Sequence, residues 1–189
     1  MSAPDRFGLG WREPLAAGLL THLERVDVLE VVAEDWLDRP PSAWSALRRL
    51  ARSVPLHIHA VSLGLGSTVP VERWRLERLA RLVGTVEPEA WSEHLAFVRG
   101  GGLEIGHLAA PPRCPATLEG LARNVAAARA AIGSLPLLEN VATLIDPPLS
   151  SWDELTWTRR VLAEVGTPLL LDLHNLHANA TNFGFDAQA

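Results

Sequence analysis

Pro168-Leu-Leu-Leu-Asp172 is the clearest strand in this 189-residue sequence. An apolar run without polar alternation is typical of a strand that is covered on both faces, as in a parallel sheet. The run ends in a carboxylate. The same arrangement, an apolar run with a histidine or a carboxylate at or near its end, recurs at His59, His94 and Glu139.

Strand-like runs alternate with stretches of helical period along the whole chain, which is the pattern of βαβ units and a parallel sheet. The strand candidates are residues 7–11, 26–32, 55–62, 89–97, 136–141 and 168–173. The helix candidates are residues 14–25, 42–53, 71–86, 115–132 and 152–165. Residues 95–112 contain several glycines and prolines, and we expect them to make an irregular excursion over one end of the sheet.

Two α/β architectures fit this alternation, a (β/α)8 TIM barrel and a doubly wound open sheet. A doubly wound nucleotide fold needs a glycine-rich phosphate turn after its first strand. Gly8-Leu-Gly10 and Gly64-Leu-Gly66 lack the remaining residues of such a turn, so we favour the barrel. A complete barrel takes about 250 residues. We therefore expect residues 1–189 to form a single, incomplete TIM-barrel domain, truncated after about six βα units.

Composition excludes several function classes. All 17 basic residues are arginine and the net charge is -5, so the chain lacks the basic surplus of a nucleic-acid-binding protein. No apolar run approaches the roughly 20 residues that span a bilayer. The single cysteine, Cys114, cannot form an internal disulfide, which fits a reducing compartment. The chain starts with charge and proline rather than an apolar signal core, and we expect a cytoplasmic protein.

The residues at the strand ends predict a metal site. In a parallel barrel, functional residues stand at the carboxyl ends of successive strands. His59, His94, Glu139 and Asp172 would bring two imidazoles and two carboxylates together there, a donor set that suits iron, zinc or manganese. A cation would also neutralise carboxylates that are costly to bury alone. Asn175, in the loop expected after Asp172, could add its carbonyl oxygen.

Each residue also has a structural interpretation. His57 is expected to be hydrogen-bonded in the core, Asp172 could cap the next turn, and Glu93 could pair with an arginine. Glu34 ends the second strand candidate in the same way as the residues of the predicted site. A polar loop that satisfies its own backbone is the expectation for the last polar residues, His174, His177, Asn179 and Asn182.

Blocks of sequence in chain order carry a family resemblance: Phe7-Gly-Leu-Gly-Trp-Arg12, Leu29-Glu-Val-Val-Ala-Glu34, His59-Ala-Val-Ser-Leu-Gly-Leu-Gly-Ser67, Ser92-Glu-His-Leu-Ala96, Leu138-Glu-Asn140, Leu171-Asp-Leu-His-Asn175 and Asn182-Phe-Gly-Phe-Asp186. Together they resemble the multinuclear non-haem iron-dependent oxidase family, which was long catalogued only as a domain of unknown function. The resemblance covers nearly the whole chain.

This resemblance implies a TIM barrel with two or three iron ions, dioxygen as oxidant and a role in bacterial natural product biosynthesis. The implied substrate is a ribosomally made precursor peptide, modified at cysteine, whose leader a separate partner protein recognises. His59, His94, Glu139, Asp172 and Asn175 fall on the family's ligand-bearing motifs, and no catalytic residue is assigned.

Two other interpretations stay open. One is a non-redox divalent-metal enzyme on a similar barrel, of the sugar isomerase or phosphodiesterase type. The other is an inactive truncated fragment. The residues alone predict a metal site, whereas iron and dioxygen follow only from the resemblance.

Overall fold

The computed structural model describes residues 5–188, which contain eight strands. In chain order they are β1 (Gly8–Gly10), β2 (Val28–Val32), β3 (Leu56–Ala60), β4 (Ala90–His94), β5 (Phe97–Gly100), β6 (Leu103–Ala109), β7 (Leu137–Glu139) and β8 (Leu169–Leu170). Six of them form one parallel sheet in the order β1, β2, β3, β4, β7, β8. A doubly wound sheet would reverse its strand order. The sheet is instead a parallel half-barrel, as the sequence predicts.

The helices lie between the strands. They are α1 (Ala16–Thr21), α2 (Glu34–Leu37), α3 (Pro41–Ala51), α4 (Arg73–Val86), α5 (Pro115–Ile132), α6 (Glu154–Val165) and α7 (Leu173–Phe183). Four of the five predicted helices are present near their predicted positions. The first prediction, residues 14–25, is broken into α1 and the 3-10 turns Glu13–Leu15 and Leu23–Arg25. Within residues 5–188, no helix combines the length and the apolar character needed to cross a membrane.

One face of the sheet carries the apolar core. Side chains alternate between the two faces of a strand, and Ile58, Trp91 and Leu138 are at most 1% exposed on the face that the helices cover. The buried helix residues of this core include Leu47, Leu79, Leu82, Leu121 and Val161.

The other face of the sheet is polar. His57 and His59 share it on β3, and strand register places His59 opposite Ser92 and His94 opposite Glu139. A TIM barrel ordinarily fills its interior with branched apolar side chains. Polar side chains in this position need hydrogen bonds or a ligand, because burying them unpaired is costly.

The excursion predicted over residues 95–112 is more regular than expected. β5 and β6 form an antiparallel hairpin. Gly101 and Gly102 turn the chain with positive φ angles of 58° and 80°, which residues other than glycine rarely adopt. Arg99 of the hairpin donates hydrogen bonds to the carbonyls of Ser62 and Leu63, and so ties the hairpin to the loop after β3.

The polar loop predicted after Asp172 is wrong, because α7 occupies residues 173–183. The Asp172 carboxylate caps this helix by accepting a hydrogen bond from the Asn175 backbone nitrogen at 2.9 Å. Asn179 is 1% exposed in the middle of the packed face of α7. A buried asparagine at this position interrupts the apolar period that would have predicted a helix.

Candidate metal centre

Three of the predicted ligands come together on the polar face of the sheet. His94 Nε2 lies 3.6 Å from Glu139 Oε1, and His59 Nε2 lies 3.6 Å from Glu139 Oε2. The two imidazole rings meet edge to face, with centroids 4.6 Å apart. All three residues are at most 9% exposed. One donor atom from each residue therefore lies within 4.8 Å of the others.

These residues fit a divalent cation. Both 3.6 Å contacts are too long for hydrogen bonds, yet one ion with bonds of about 2.0–2.2 Å can contact both atoms of such a pair. The Nδ1 atom of His94 faces Glu93 and is buried without a hydrogen-bond partner within the described residues, which leaves Nε2 as the ring nitrogen next to Glu139. Two imidazoles and one carboxylate are ligands that iron and zinc accept.

The protonation of the site also favours a cation. Burial, helped by the neighbouring imidazoles of His94 and His57, lowers the pKa of His59 to about 4, so the ring is neutral as a ligand must be. Burial is the largest cause that raises the pKa of Glu139 to about 6; the charges of Asp172 and Glu30 add to it, and His94 opposes it. A cation would relieve this repulsion between carboxylates.

The pKa of His94 is shifted in the opposite direction from that of His59. Burial would lower the pKa of His94, but the carboxylates of Glu93 and Glu139 outweigh burial and raise the pKa above its usual value. Glu93 Oε1 lies 3.7 Å from His94 Nδ1. His94 therefore stands between two carboxylates, one on its own strand and one on the neighbouring strand.

Asp172 and Asn175, the other two predicted ligands, lie at the same edge of the sheet but outside the group of three. Asp172 caps α7, which confirms the structural interpretation of this residue, and its charge raises the pKa of Glu139. The Asn175 side chain donates to the Asn140 carbonyl at 2.9 Å. Their role as ligands stays a prediction.

Sequence reasoning missed two residues that support the site. Ser92 is fully buried, and its Oγ lies 2.7 Å from His57 Nε2 and 2.7 Å from His59 Nδ1. The predicted hydrogen-bonded role of His57 is thus confirmed. Glu93 is also fully buried, and its carboxylate accepts hydrogen bonds from the backbone nitrogens of Leu63 and His94 instead of binding an arginine. The two-residue strand period could have identified Ser92, because it places this residue on the face of His94.

Glu30 and Glu34 surround the site on its β2 side. Glu30, with His57 and His59, forms a second group of possible ligands within 4.8 Å. Glu30 and His57 are only partly buried, whereas His59, His94 and Glu139 are all buried. Glu34 begins α2 rather than ending β2, and its carboxylate accepts from the Val61 nitrogen at 3.1 Å. The group with Glu139 is therefore the stronger candidate for a metal centre.

Solved structures share this fold at low sequence identity. D-psicose 3-epimerase, solved in the presence of D-fructose, superposes with a TM-score of 0.60 at 13% identity over 95% of this chain and 68% of that chain. The apo form of 3-keto-D-glucoside 4-epimerase from E. coli gives a TM-score of 0.56 at 13% identity over 95% of this chain and 76% of that chain. Such low identity supports the TIM-barrel fold alone.

Several relatives are more similar in sequence. A UPF0276 protein of Rhizorhabdus wittichii is 33% identical over 187 residues, which are 97% of this chain and 66% of that protein. A UPF0276 protein of Streptomyces avermitilis is 37% identical over 95% of this chain and 38% of its own length. A third, from Chromobacterium violaceum, is 33% identical over 98% of this chain and 67% of its own length. The chain thus spans about two thirds or less of these relatives.

The family of the RiPP precursor modification enzymes MbnB/TglH/ChrH matches residues 6–189. RiPPs are ribosomally made peptides that enzymes modify after translation, so the match confirms the resemblance to peptide-modifying enzymes that the sequence motifs predict. The chain belongs to the family of RiPP precursor modification enzymes.

Proposed function

We propose that this chain is a metal-dependent oxidase that uses iron and dioxygen to modify a cysteine of a ribosomally made precursor peptide. The observation that carries this proposal is the group of His59, His94 and Glu139 in a chain of this family. The group lies at the carboxyl ends of parallel strands, where TIM-barrel enzymes carry their active sites.

The donor set favours iron. Two histidines and one carboxylate are the ligand set of many non-haem Fe(II) oxygenases. Calcium and magnesium prefer oxygen ligands alone, and zinc remains the alternative that the experiment must exclude. We infer two or three ions, with Asp172 and Asn175 as further ligands. A carboxylate has enough lone pairs to accept the Asn175 backbone hydrogen bond and to bind a cation at the same time.

The residues of the chain would hold the metal and limit the access of water. His59 and His94 are each 7% exposed, so a metal between them would lie in a low-dielectric environment. With a pKa of about 6, Glu139 is mostly ionised at neutral pH and so available as a ligand. Bound iron would supply the dioxygen site and the electron transfer that oxidation of a thiolate requires.

The family supports a precursor peptide as the substrate. We further propose that cysteine is the modified residue, that a separate protein recognises the leader of the peptide and that the reaction takes place in the cytoplasm. We also propose that residues 1–189 form one incomplete TIM-barrel domain. A metal-dependent sugar isomerase or epimerase is the competing function, and the solved epimerases share only the fold with this chain.

Metal analysis of anaerobically purified protein tests the choice of metal. We expect bound iron, measured by mass spectrometry of the metal and by iron spectroscopy. Zinc or magnesium without iron would exclude the oxidase.

Activity is tested with candidate precursor peptides, chosen as short cysteine-containing peptides that genes next to this one encode. We expect oxygen consumption and a mass change in the peptide, and neither with a peptide in which serine replaces the cysteine. The full-length Rhizorhabdus wittichii relative, assayed in parallel, controls for the choice of peptide. Modification of the serine peptide would contradict chemistry at the thiol.

A further inference from the structure

We infer that Ser92 and His57 are positioning residues that determine which ring nitrogen of His59 carries hydrogen, and so present the Nε2 lone pair of His59 to the metal centre. This inference rests on the proposed metal function.

The three side chains form a continuous hydrogen-bonded chain. Ser92 Oγ lies 2.7 Å from both His57 Nε2 and His59 Nδ1. Strand register places His59 directly opposite Ser92, and His57 precedes His59 by two residues on the same face. Ser92 is fully buried and His59 is 7% exposed, so solvent does not replace these contacts.

A serine hydroxyl has a single hydrogen, and the hydrogen bonds can therefore run in two directions. In the first direction, His59 Nδ1–H donates to Ser92 and the Ser92 hydroxyl donates to His57 Nε2. In the second, His57 Nε2–H donates to Ser92 and the hydroxyl donates to His59 Nδ1. Only the first direction leaves His59 Nε2 with a free lone pair, since the second places a hydrogen on this atom.

The surroundings of the two rings select the first direction. In the second direction, the Nε2–H of His59 would face Glu139 Oε2 at 3.6 Å, too far for a hydrogen bond, while the residue is nearly inaccessible to water. In the first direction, the remaining hydrogen lies on Nδ1 of His57. His57 is only partly buried, so water can accept this hydrogen bond. The first direction therefore leaves no buried N–H group unpaired.

The chain of hydrogen bonds has a known purpose in metal sites. A histidine ligand usually donates its second N–H group to a partner that fixes its tautomer and orientation, and removal of that partner typically costs about 10- to 100-fold in metal affinity. Ser92 is that partner for His59, and His57 orients the Ser92 hydroxyl.

The tautomers can be measured by NMR of ring nitrogens in metal-free protein labelled with 15N-histidine at neutral pH. We expect His59 and His57 each to carry hydrogen on Nδ1 with a bare Nε2. In the Ser92→Ala variant we expect His59 to become a mixture of tautomers. Hydrogen on Nε2 of His59 in the wild type would overturn the inference. The NMR measurement needs no metal. If the protein shows these tautomers but binds no metal, the inference stands and only the proposed function is contradicted.

Metal affinity tests the same chain of hydrogen bonds by a second route. We expect Ser92→Ala to raise the Kd for Fe(II) by about 10- to 100-fold, and Ser92→Thr to restore affinity because it keeps the hydroxyl. The double variant Ser92→Ala/His57→Phe should bind Fe(II) no more weakly than Ser92→Ala, since the series of hydrogen bonds from His57 to His59 is already interrupted. Independent, additive losses would overturn the inference. Thermal unfolding of the metal-free variants identifies any that fail to fold.

Discussion

Asn140 and Asp172 exchange two hydrogen bonds. The Asn140 side chain donates from Nδ2 to the Asp172 carbonyl at 3.0 Å, and its Oδ1 accepts from the Asp172 backbone nitrogen at 2.8 Å. The β7–β8 register ends at Glu139 and Leu170, so Asn140 continues the pairing with its side chain. Asp172 is thereby held at the same edge as Glu139, where its charge raises the pKa of Glu139.

Asn140→Asp should weaken this connection. An aspartate can accept from the Asp172 nitrogen, but it has no hydrogen for the Asp172 carbonyl and adds a second negative charge. Asn140 is 6% exposed. We expect the free energy of unfolding of the metal-free protein to fall by about 1–3 kcal/mol, measured by urea denaturation. Asn182→Asp is the matched control, because exposed Asn182 donates one bond to the Thr143 carbonyl. Equal losses in both variants would contradict the role of Asn140.

His94→Ala should remove metal from the protein. Loss of a residue that only hydrogen-bonds to a ligand already costs about 10- to 100-fold in affinity, so we expect the Kd of the metal to rise by about 100-fold or more when His94 itself is lost. Metal content after dialysis gives the readout. His22→Ala is the control, because His22 is exposed and far along the chain from the site. Unchanged metal content in His94→Ala would exclude His94 as a ligand.

The six strands of the parallel sheet and three residues of the candidate site could be predicted from the sequence for the same physical reason. Apolar side chains on the face that the helices cover give these runs their apolar character, and a histidine or carboxylate at the end of such a run is conspicuous. His94 and Glu139 are the last residues of β4 and β7. Their convergence then follows from the parallel order of the strands.

Residues whose roles depend on tertiary contacts could not be predicted in this way. Asn179 is buried because Thr143, Val141 and Glu154 satisfy its amide, and all three are distant along the chain. Without knowledge of these partners, an asparagine argues against a packed helix. Ser92 is small and lies next to the more conspicuous Glu93. The strand period places it on the face of His94, but its role becomes visible only in its contacts with two histidines.

Gly120→Ala should destabilise the fold beside the loop after β3. A Cβ atom at Gly120 would lie 2.6 Å from both Ser67 O and Thr68 Cα, which are backbone atoms. One turn later in α5, Asn124 binds the carbonyls of the same loop. We expect a loss of about 1–3 kcal/mol in the free energy of unfolding, measured by urea denaturation.

Gly84→Ala is the matched control for Gly120→Ala. Gly84 lies within α4, and a Cβ atom there would meet nothing within 4 Å. Alanine is the better helix former, so we expect a gain of up to about 1 kcal/mol. Effects of the same sign at the two glycines would contradict the close approach of α5 to the loop.

Glu139→Gln should reveal the energetic cost of the metal-free site. The pKa of Glu139 is raised from 4.5 to about 6, first by burial and then by nearby carboxylates. Between these two pH values the folded state holds a proton that the unfolded state has lost, so the contribution of Glu139 to stability falls as pH rises through this window. The loss amounts to about 2 kcal/mol and is complete above the folded pKa.

A glutamine side chain does not ionise, so the variant lacks the pH-dependent loss of stability that Glu139 causes. The stability of Glu139→Gln relative to wild type should therefore rise by about 2 kcal/mol from well below pH 4.5 to well above pH 6, measured by urea denaturation of the metal-free proteins. Glu24→Gln, at a side chain that is 68% exposed, controls for the loss of one carboxylate. Added metal should reverse the order at neutral pH, since a ligand that binds only the folded state stabilises the wild type more. If the difference in the free energy of unfolding between the two proteins changed with neither pH nor metal, Glu139 would not be a carboxylate that is costly to ionise without metal.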